Sequence, residues 1–102
     1  MTVVVVATIH PKSGSFDAVV SLFEKTIVRV HEEDQGCELY AMHTEADTIV
    51  MIEKWSDAAA HQAHLSSPAM NEMNEQVQEL LGGKTVVTVL APRPVGSAKG
   101  AL

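Results

Sequence analysis

Residues 2–10 read TVVVVATIH, and this run decides the fold because it is apolar at almost every successive position. A strand with one face in water alternates apolar and polar side chains, whereas a strand covered on both faces is apolar throughout. The run is too short to cross a bilayer, and no basic segment precedes it. We therefore predict a central β-strand with both faces buried, and no membrane-spanning segment.

The segment after this strand has the spacing of an amphipathic helix. Ser15 is a candidate N-cap, and Asp17 would lie favourably in the first turn. The apolar stripe consists of Phe16, Val19, Val20, Phe23, Ile27 and Val30. The stripe stops at the acidic group Glu32-Glu33-Asp34, which we interpret as a solvated helix end that frays before Gln35-Gly36.

Two strands of similar length follow, and a short turn joins them into a predicted hairpin. Successive side chains of a strand point to opposite faces. Tyr40 and Met42 therefore share one face of the first strand. In the second strand, residues 48–55, the side chains of Glu53 and Trp55 share a face that is otherwise apolar.

The second helical region is predicted to be two short helices. Ser56 is a candidate N-cap for the first helix, and Ser67-Pro68 starts the second with proline at the first helical position. The apolar stripe of the second helix consists of Met70, Met73, Val77, Leu80 and Leu81. A last strand is predicted from Lys84 to Ala91, where Pro92 stops it.

The order of elements is β-α-β-β-α-β, which predicts an α+β, ferredoxin-like fold with helices on one face of an antiparallel sheet. The helices cover only one side of that sheet. The doubly apolar first strand therefore predicts that a second copy of the chain covers the other side, giving a homodimeric barrel. Residues 1–92 form the predicted domain, and residues 93–102 form a C-terminal extension that could contact the partner subunit.

Composition excludes several classes of function. The chain has 102 residues, enough for one domain, and a formal net charge of −6 without a cluster of Lys and Arg. This charge argues against nucleic-acid binding. Cys37 is the only cysteine, so one chain can form neither a disulfide nor a thiolate metal site. A reducing, cytoplasmic location is expected.

Four segments stand in a characteristic order along the chain. They are residues 4–14, the turn Glu32-Glu33-Asp34-Gln35-Gly36-Cys37 with Tyr40 three residues on, the strand 49–55, and the run Ala60-His61-Gln62-Ala63-His64-Leu65-Ser66-Ser67-Pro68. Together they resemble the antibiotic biosynthesis monooxygenase family over roughly residues 3–92. Residues 49–68 are similar to the quinol monooxygenases of that family in particular.

This resemblance implies a dimeric α+β barrel with a pocket between the sheet and the helices of each subunit. It also implies an oxygenase that converts a quinol or a polycyclic phenol to a quinone with O2, without flavin, haem or metal. In agreement, no G-x-G-x-x-G segment follows the first strand, and no phosphate-binding loop or Cys/His cluster is present. The aromatic substrate would then have to supply the electrons itself.

His64 is the predicted catalytic residue, because it matches the family's histidine before the Leu-Ser-Ser-Pro segment. Its imidazole could accept a proton from a quinol hydroxyl. The alternative is that His64 only hydrogen-bonds a backbone group beneath its helix. His61 lies three residues earlier, a spacing that could serve a metal, but only Glu53 could be a third ligand. We expect no metal and an exposed His61.

Six residues are predicted to line the substrate pocket: Tyr40, Met42, Glu53, Trp55, Met70 and Met73. If Glu53 faces the helices, burial would raise its pKa and make it a proton acceptor, and Trp55 would stack on the ring. The alternative makes Glu53 part of a salt bridge and Trp55 part of the core. The methionines could adapt to an apolar ligand or simply fill the core.

Two other classes of function fit the same fold. One is a non-catalytic barrel that binds small ligands or responds to stress, since fold does not determine function. The other is a small-molecule isomerase, which would need a basic pocket for a phosphorylated ligand. The scattered positions of Lys12, Lys25, Arg29 and Lys54 supply such a pocket poorly.

Overall fold

The computed structural model describes residues 1–102, which form four strands and three α-helices. In chain order these are β1 (Val3–Ile9), α1 (Phe16–Glu33), β2 (Cys37–Glu45), β3 (Thr48–Trp55), α2 (Ala58–Leu65), α3 (Pro68–Val77) and β4 (Val86–Leu90). Single 3₁₀ turns follow α3 at Gln78–Leu80 and β4 at Ala98–Gly100. The second helical region is divided, as predicted. None of the helices combines the length and the apolar character needed to span a membrane.

The four strands form one antiparallel sheet in the order β2-β3-β1-β4. β1 is central: Val5 lies opposite Glu53 of β3 and Val89 of β4. This order and the β-α-β-β-α-β connectivity confirm the predicted ferredoxin-like α+β fold. The last strand is shorter than the predicted Lys84 to Ala91.

The core lies between the sheet and the helices, and the strands show the expected period of two. Alternate residues of β1 and β3 face the helices and are at most 7% exposed: Val5, Ala7, Ile9, Ile49, Met51, Glu53 and Trp55. From α1, Val19, Phe23 and Val30 pack against them. Burying each such large apolar side chain stabilises the fold by about 1.5–3 kcal/mol.

The helix starts differ in part from the predicted caps. Ser15 occupies the N-cap position of α1, but its side chain makes no capping hydrogen bond. The cap of α2 is Asp57, which accepts from the Ala60 amide at 2.7 Å, and not Ser56. The Ser56 amide instead donates to a backbone carbonyl at the start of β2, so Ser56 still belongs to the strand region. The predicted start of α3 at Ser67-Pro68 is confirmed.

The face of the sheet that points away from the helices is incompletely covered within the chain, although the C-terminal extension reaches it where Lys54 Nζ donates to the Leu102 carbonyl at 2.8 Å. Residues of β1 on that face, such as Val4 and Val6, are only half-buried. Every residue of β4 is exposed, and on this face Val86 and Leu90 show 54% and 45% of their surface. The extension after Pro92 is exposed as well. The sheet therefore presents an apolar surface at β1 and β4.

Candidate active site

A cavity of about 190 Å³ lies between the sheet and the helices α2 and α3. Eleven of its 16 lining residues are hydrophobic. Its buried polar wall is formed by Tyr40, Glu53, His61 and His64, and Asn74 and Thr85 line it at exposed positions. An apolar cavity with a few convergent polar groups is the usual form of a small-molecule site.

His64 is held by a carboxylate. Its Nδ1 lies 2.7 Å from Oδ2 of Asp34, and the two side chains are only 2% and 9% exposed. Because an ionised carboxylate can only accept, Nδ1–H donates and Nε2 keeps its lone pair. The idea that His64 bonds only a backbone group is therefore wrong. The interpretation of Asp34 as part of a solvated helix end is also wrong.

Gly36 brings this pair together. Its φ is +82°, and a Cβ placed there would lie 2.6 Å from Ser56 Oγ and 2.7 Å from Ala60 Cβ. The Gly36 carbonyl also accepts from the Ser56 amide at 2.8 Å. Only glycine combines this conformation with so close an approach. The chain after α1 can therefore pack directly against the start of α2, which places Asp34 beside His64.

Burial lowers the pKa of His64 below its ordinary value, although the hydrogen bond and the charge of Asp34 oppose that shift. The imidazole is therefore neutral near pH 7. A neutral imidazole with a free Nε2 is a proton acceptor. The geometry thus gives His64 the protonation state that a general base needs.

Glu53 is buried without a cation. Its side chain is 4% exposed, and its Oε1 accepts from Trp55 Nε1 at 3.0 Å. No salt bridge reaches it, so the salt-bridge alternative is wrong. Burial raises the pKa of Glu53 to about 7, and the Trp55 hydrogen bond opposes this only in part. This carboxyl group is therefore poised between its acid and base forms near neutral pH.

The cavity contains five of the seven predicted site residues: Tyr40, Glu53, His64, Met70 and Met73. Trp55 does not line it. Its ring packs behind the wall, with its centroid 4.5 Å from that of His64, so it supports the imidazole. Met42 is half-buried at the margin of the core and is also outside the lining. The catalytic and binding roles of all seven residues stay predictions.

His61 is buried, and the expectation that it is exposed was wrong. It is 5% exposed and lines the cavity beside His64, one helical turn away. Leu65 also lines the cavity, although it is 42% exposed. The short helix α2 turns its two histidines onto the sheet. No group of three or more His, Cys, Asp or Glu side chains is placed to hold a metal ion.

Tyr40 completes the polar wall. Its hydroxyl donates weakly to Met70 Sδ at 3.8 Å, and its ring meets that of His64 edge-on at 5.0 Å. Burial, followed by the nearby charge of Glu53, raises the pKa of Tyr40 far above its ordinary value. The hydroxyl therefore stays protonated and remains a hydrogen-bond donor.

The chain is similar to known proteins both in sequence and in structure. The sequence model described as "Antibiotic biosynthesis monooxygenase" matches residues 2–76. "Putative monooxygenase Rv0793" of Mycobacterium tuberculosis is 34% identical over 98 residues, which cover 94% of this chain and 96% of that protein. "Probable quinol monooxygenase YgiN" of Escherichia coli is 33% identical over 87 residues, with 72% and 83% covered.

Solved structures of other proteins are also similar to this chain. The structure of Rv0793 superposes with a TM-score of 0.84 at 30% identity, over 95% of this chain and all (100%) of that one. A conserved protein from Methanosarcina mazei superposes with a TM-score of 0.80 at 22% identity, over 88% and 91% of the two chains. The second likeness is one of fold alone.

Proposed function

The chain belongs to the antibiotic biosynthesis monooxygenase family, and from this we propose that it is an oxygenase that oxidises a quinol or a phenol with O2, without flavin, haem or metal. Relatives named as monooxygenases, one of them as a probable quinol monooxygenase, support the reaction class. The observation that carries the proposal is the buried pair of His64 and Asp34 in the wall of an apolar cavity.

In the proposed reaction His64 takes the hydroxyl proton of the substrate through Nε2, since a phenolate gives up electrons more readily than a phenol. One atom of O2 then forms a bond to a ring carbon that loses its hydrogen, and the other atom leaves as water. A phenol becomes a quinone, and a quinol becomes a hydroxyquinone. The ring supplies all the electrons. A phenol loses two hydrogens, which balance the water formed, whereas a quinol loses three, two for the water and one for the new hydroxyl group. A proton that His64 passes to solvent is replaced by one taken up from solvent when the water forms.

The proton taken by His64 has a route to solvent. Asp34 and His64 border a groove on the outer surface as well as the cavity wall, together with Ser66 and Ser67. In this proposal, the proton between His64 Nδ1 and Asp34 Oδ2 can be released to water in the groove. The apolar cavity meanwhile keeps water away from the reacting ring.

The size and charge of the cavity narrow the substrate class. An apolar cavity of about 150 Å³ is known to hold benzene, so 190 Å³ suits a compact ligand of one or two rings better than a larger polycyclic phenol. No lysine or arginine lines the cavity. A phosphorylated ligand would find no counter-charge there, which argues against the isomerase alternative.

Oxygen uptake with reduced menadione tests the proposed reaction. We expect uptake well above that of a protein-free control, unchanged by EDTA, from protein without flavin or haem absorbance. Catalase added at the end should release no oxygen if one oxygen atom enters the ring. Uptake equal to the protein-free rate would refute the oxygenase. Release of half the consumed oxygen would instead identify a two-electron oxidase that makes peroxide.

We also propose that the working unit is a homodimer joined through the exposed side of the sheet. The apolar surface at β1 and β4 is the support for this, because an uncovered strand of valines is costly in water. Val87 of this strand is 49% exposed and also lines the cavity. Val87 faces the helix side, so a second copy that also extends along the edge at β4 would shield the mouth of the site.

Light scattering is expected to give twice the 11.0 kDa mass of one chain. Val86→Lys, on β4, should shift the protein toward monomer, because a buried unpaired ammonium is costly at an interface. Val28→Lys is the matched control, since Val28 is 56% exposed but lies on α1. A monomeric parent protein at micromolar concentration, or the same effect from both variants, would contradict the dimer.

A further inference from the structure

The polar groups of the cavity differ in whether they already have partners. His64 Nδ1 is bonded to Asp34, and the Tyr40 hydroxyl donates to Met70. One oxygen of Glu53 is occupied by Trp55. These bonds lie within the protein and need no ligand. Asn74 and Thr85 also line the cavity, but both are exposed and can bond to water. The buried groups that remain are the ones a ligand would have to satisfy.

His61 has no hydrogen-bond partner although it is only 5% exposed. No fully enclosed polar side-chain atom of the protein lacks a partner. The ring nitrogens of His61 are therefore not fully enclosed, and His61 lines the cavity. Buried polar groups are nearly always hydrogen-bonded. The His61 imidazole is thus available to form a hydrogen bond with a ligand in the cavity.

Glu53 has the same property at its second oxygen. Oε2 makes no hydrogen bond, so by the same reasoning it is not fully enclosed, and Glu53 lines the cavity. Trp55 fixes the orientation of the carboxyl group through Oε1. Since this group is poised between acid and base near neutral pH, it can donate a hydrogen bond or accept one.

From these free groups we infer that His61 and Glu53 form a second recognition point, which binds a second oxygen substituent on the aromatic ring while His64 binds the first. The ligand class is then a one- or two-ring aromatic with two opposed oxygens, such as a para-quinol. This inference rests on the proposed function and specifies its substrate. The imidazole centroids of His61 and His64 lie 6.4 Å apart, so the two rings can contact different substituents of one aromatic ligand.

The protonation state of His61 suits both forms of such a ligand. Burial, with the nearby His64, lowers its pKa, so the ring is neutral and carries one N–H donor and one acceptor nitrogen. A quinol hydroxyl can donate to the acceptor nitrogen, and a quinone carbonyl can accept from the N–H. The same second recognition point therefore binds substrate before oxidation and product after it.

Anaerobic binding tests this inference without turnover. Trp55 is the only tryptophan, and it contacts His64 and Glu53, so its fluorescence reports on the cavity. The probes are 1,4-dihydroxynaphthalene and 1-naphthol, which differ by one hydroxyl. We expect the parent protein to bind the diol at least about tenfold more tightly, the effect of one satisfied buried hydrogen bond.

Variants assign the preference to His61. His61→Phe, similar in shape but apolar, should reduce the preference to within about threefold and leave naphthol affinity nearly unchanged. His61→Gln, which keeps a donor and an acceptor, should retain most of it. Met73→Leu is the control within the same cavity and should change both affinities alike.

Two results would overturn the inference: equal affinity of the parent protein for both probes, or a full preference for the diol in His61→Phe. Should His61→Phe fail to fold, the preference of the parent protein and of His61→Gln still decides the question. Failure of the oxygenase proposal gives a different pattern. In that case the diol preference persists under argon while oxygen uptake in air stays at the protein-free rate.

Discussion

His64→Ala is expected to lower kcat/KM for quinol oxidation by about 10²–10⁴-fold, the usual contribution of a positioned general base. The variant removes the neutral imidazole whose Nε2 is free while Nδ1 is bonded to Asp34. Asp34, at 9% exposure and beside a surface groove, can then be hydrated, so the fold should survive. Initial rates of oxygen uptake measure the effect, and thermal unfolding checks the fold.

Two further variants make this result specific. Asp34→Asn keeps an acceptor for Nδ1–H but loses the charge that raises the pKa of His64. Because the base works above its pKa, the acidic limb of the pH–rate profile should move to lower pH. His43→Ala, at an exposed strand position, should behave like the parent. A His64→Ala variant with the parental rate would disprove the catalytic role, and loss of binding alone would favour a carrier protein.

Glu53→Gln is expected to raise the free energy of unfolding at pH 8 by up to about 3 kcal/mol. In the folded protein the pKa of Glu53 is raised from 4.5 to about 7, so the unfolded chain loses this proton first as pH rises. The stability that the protonated group contributes is therefore complete below pH 4.5 and is lost as pH rises through about 7. Glutamine stays neutral and still offers Trp55 an oxygen.

Urea unfolding of both proteins at pH 4, 6 and 8, at one protomer concentration, measures this effect. His61 and His64 titrate in both proteins, so their contributions largely cancel in the difference. We expect a small difference at pH 4 that grows toward pH 8. Glu45→Gln, at an exposed end of β2, should show no such growth. A difference that stays constant with pH would mean that the carboxyl group ionises normally in the fold.

The sequence predicts well those features in which apolar residues repeat at a regular spacing within one strand or helix. Alternation in β3 placed Glu53 and Trp55 on one face, and the structure confirms this. Which face met the helices was left open, and the structure shows that it is this one. The helical stripe of α1 likewise identified the buried Val19, Phe23 and Val30, although it missed Thr26. These patterns repeat every two or about 3.6 residues, so a short window contains the whole signal.

The hydrogen bond between His64 and Asp34 could not be predicted from a short stretch of sequence. Glu32, Glu33 and Asp34 look alike in the sequence, but α1 ends at Glu33, and Asp34 takes an extended conformation that turns it inward. The contact then joins residues 30 positions apart. A sequence signal did exist, because Asp34 lies two residues before Gly36 within a segment that matches the family.

His61 was misplaced for a different reason. The helix α2 has only eight residues, and its sequence, AAAHQAHL, is nearly all alanine and histidine. Alanine fits a buried or an exposed position equally well, so the segment has almost no amphipathic period. Which face of α2 meets the sheet is decided by packing against Gly36 and Trp55, and that is a tertiary contact.

The absence of a Cβ atom at Gly36 affects how well His64 can act as a base. A methyl group at this position would push α2 away from the end of α1, and the two atoms that share the proton would separate although neither residue had changed. Gly36 has no functional side chain, but it sets the distance between Asp34 and His64. Natural variation at this position could alter the speed of proton transfer while every residue that touches the substrate stays the same.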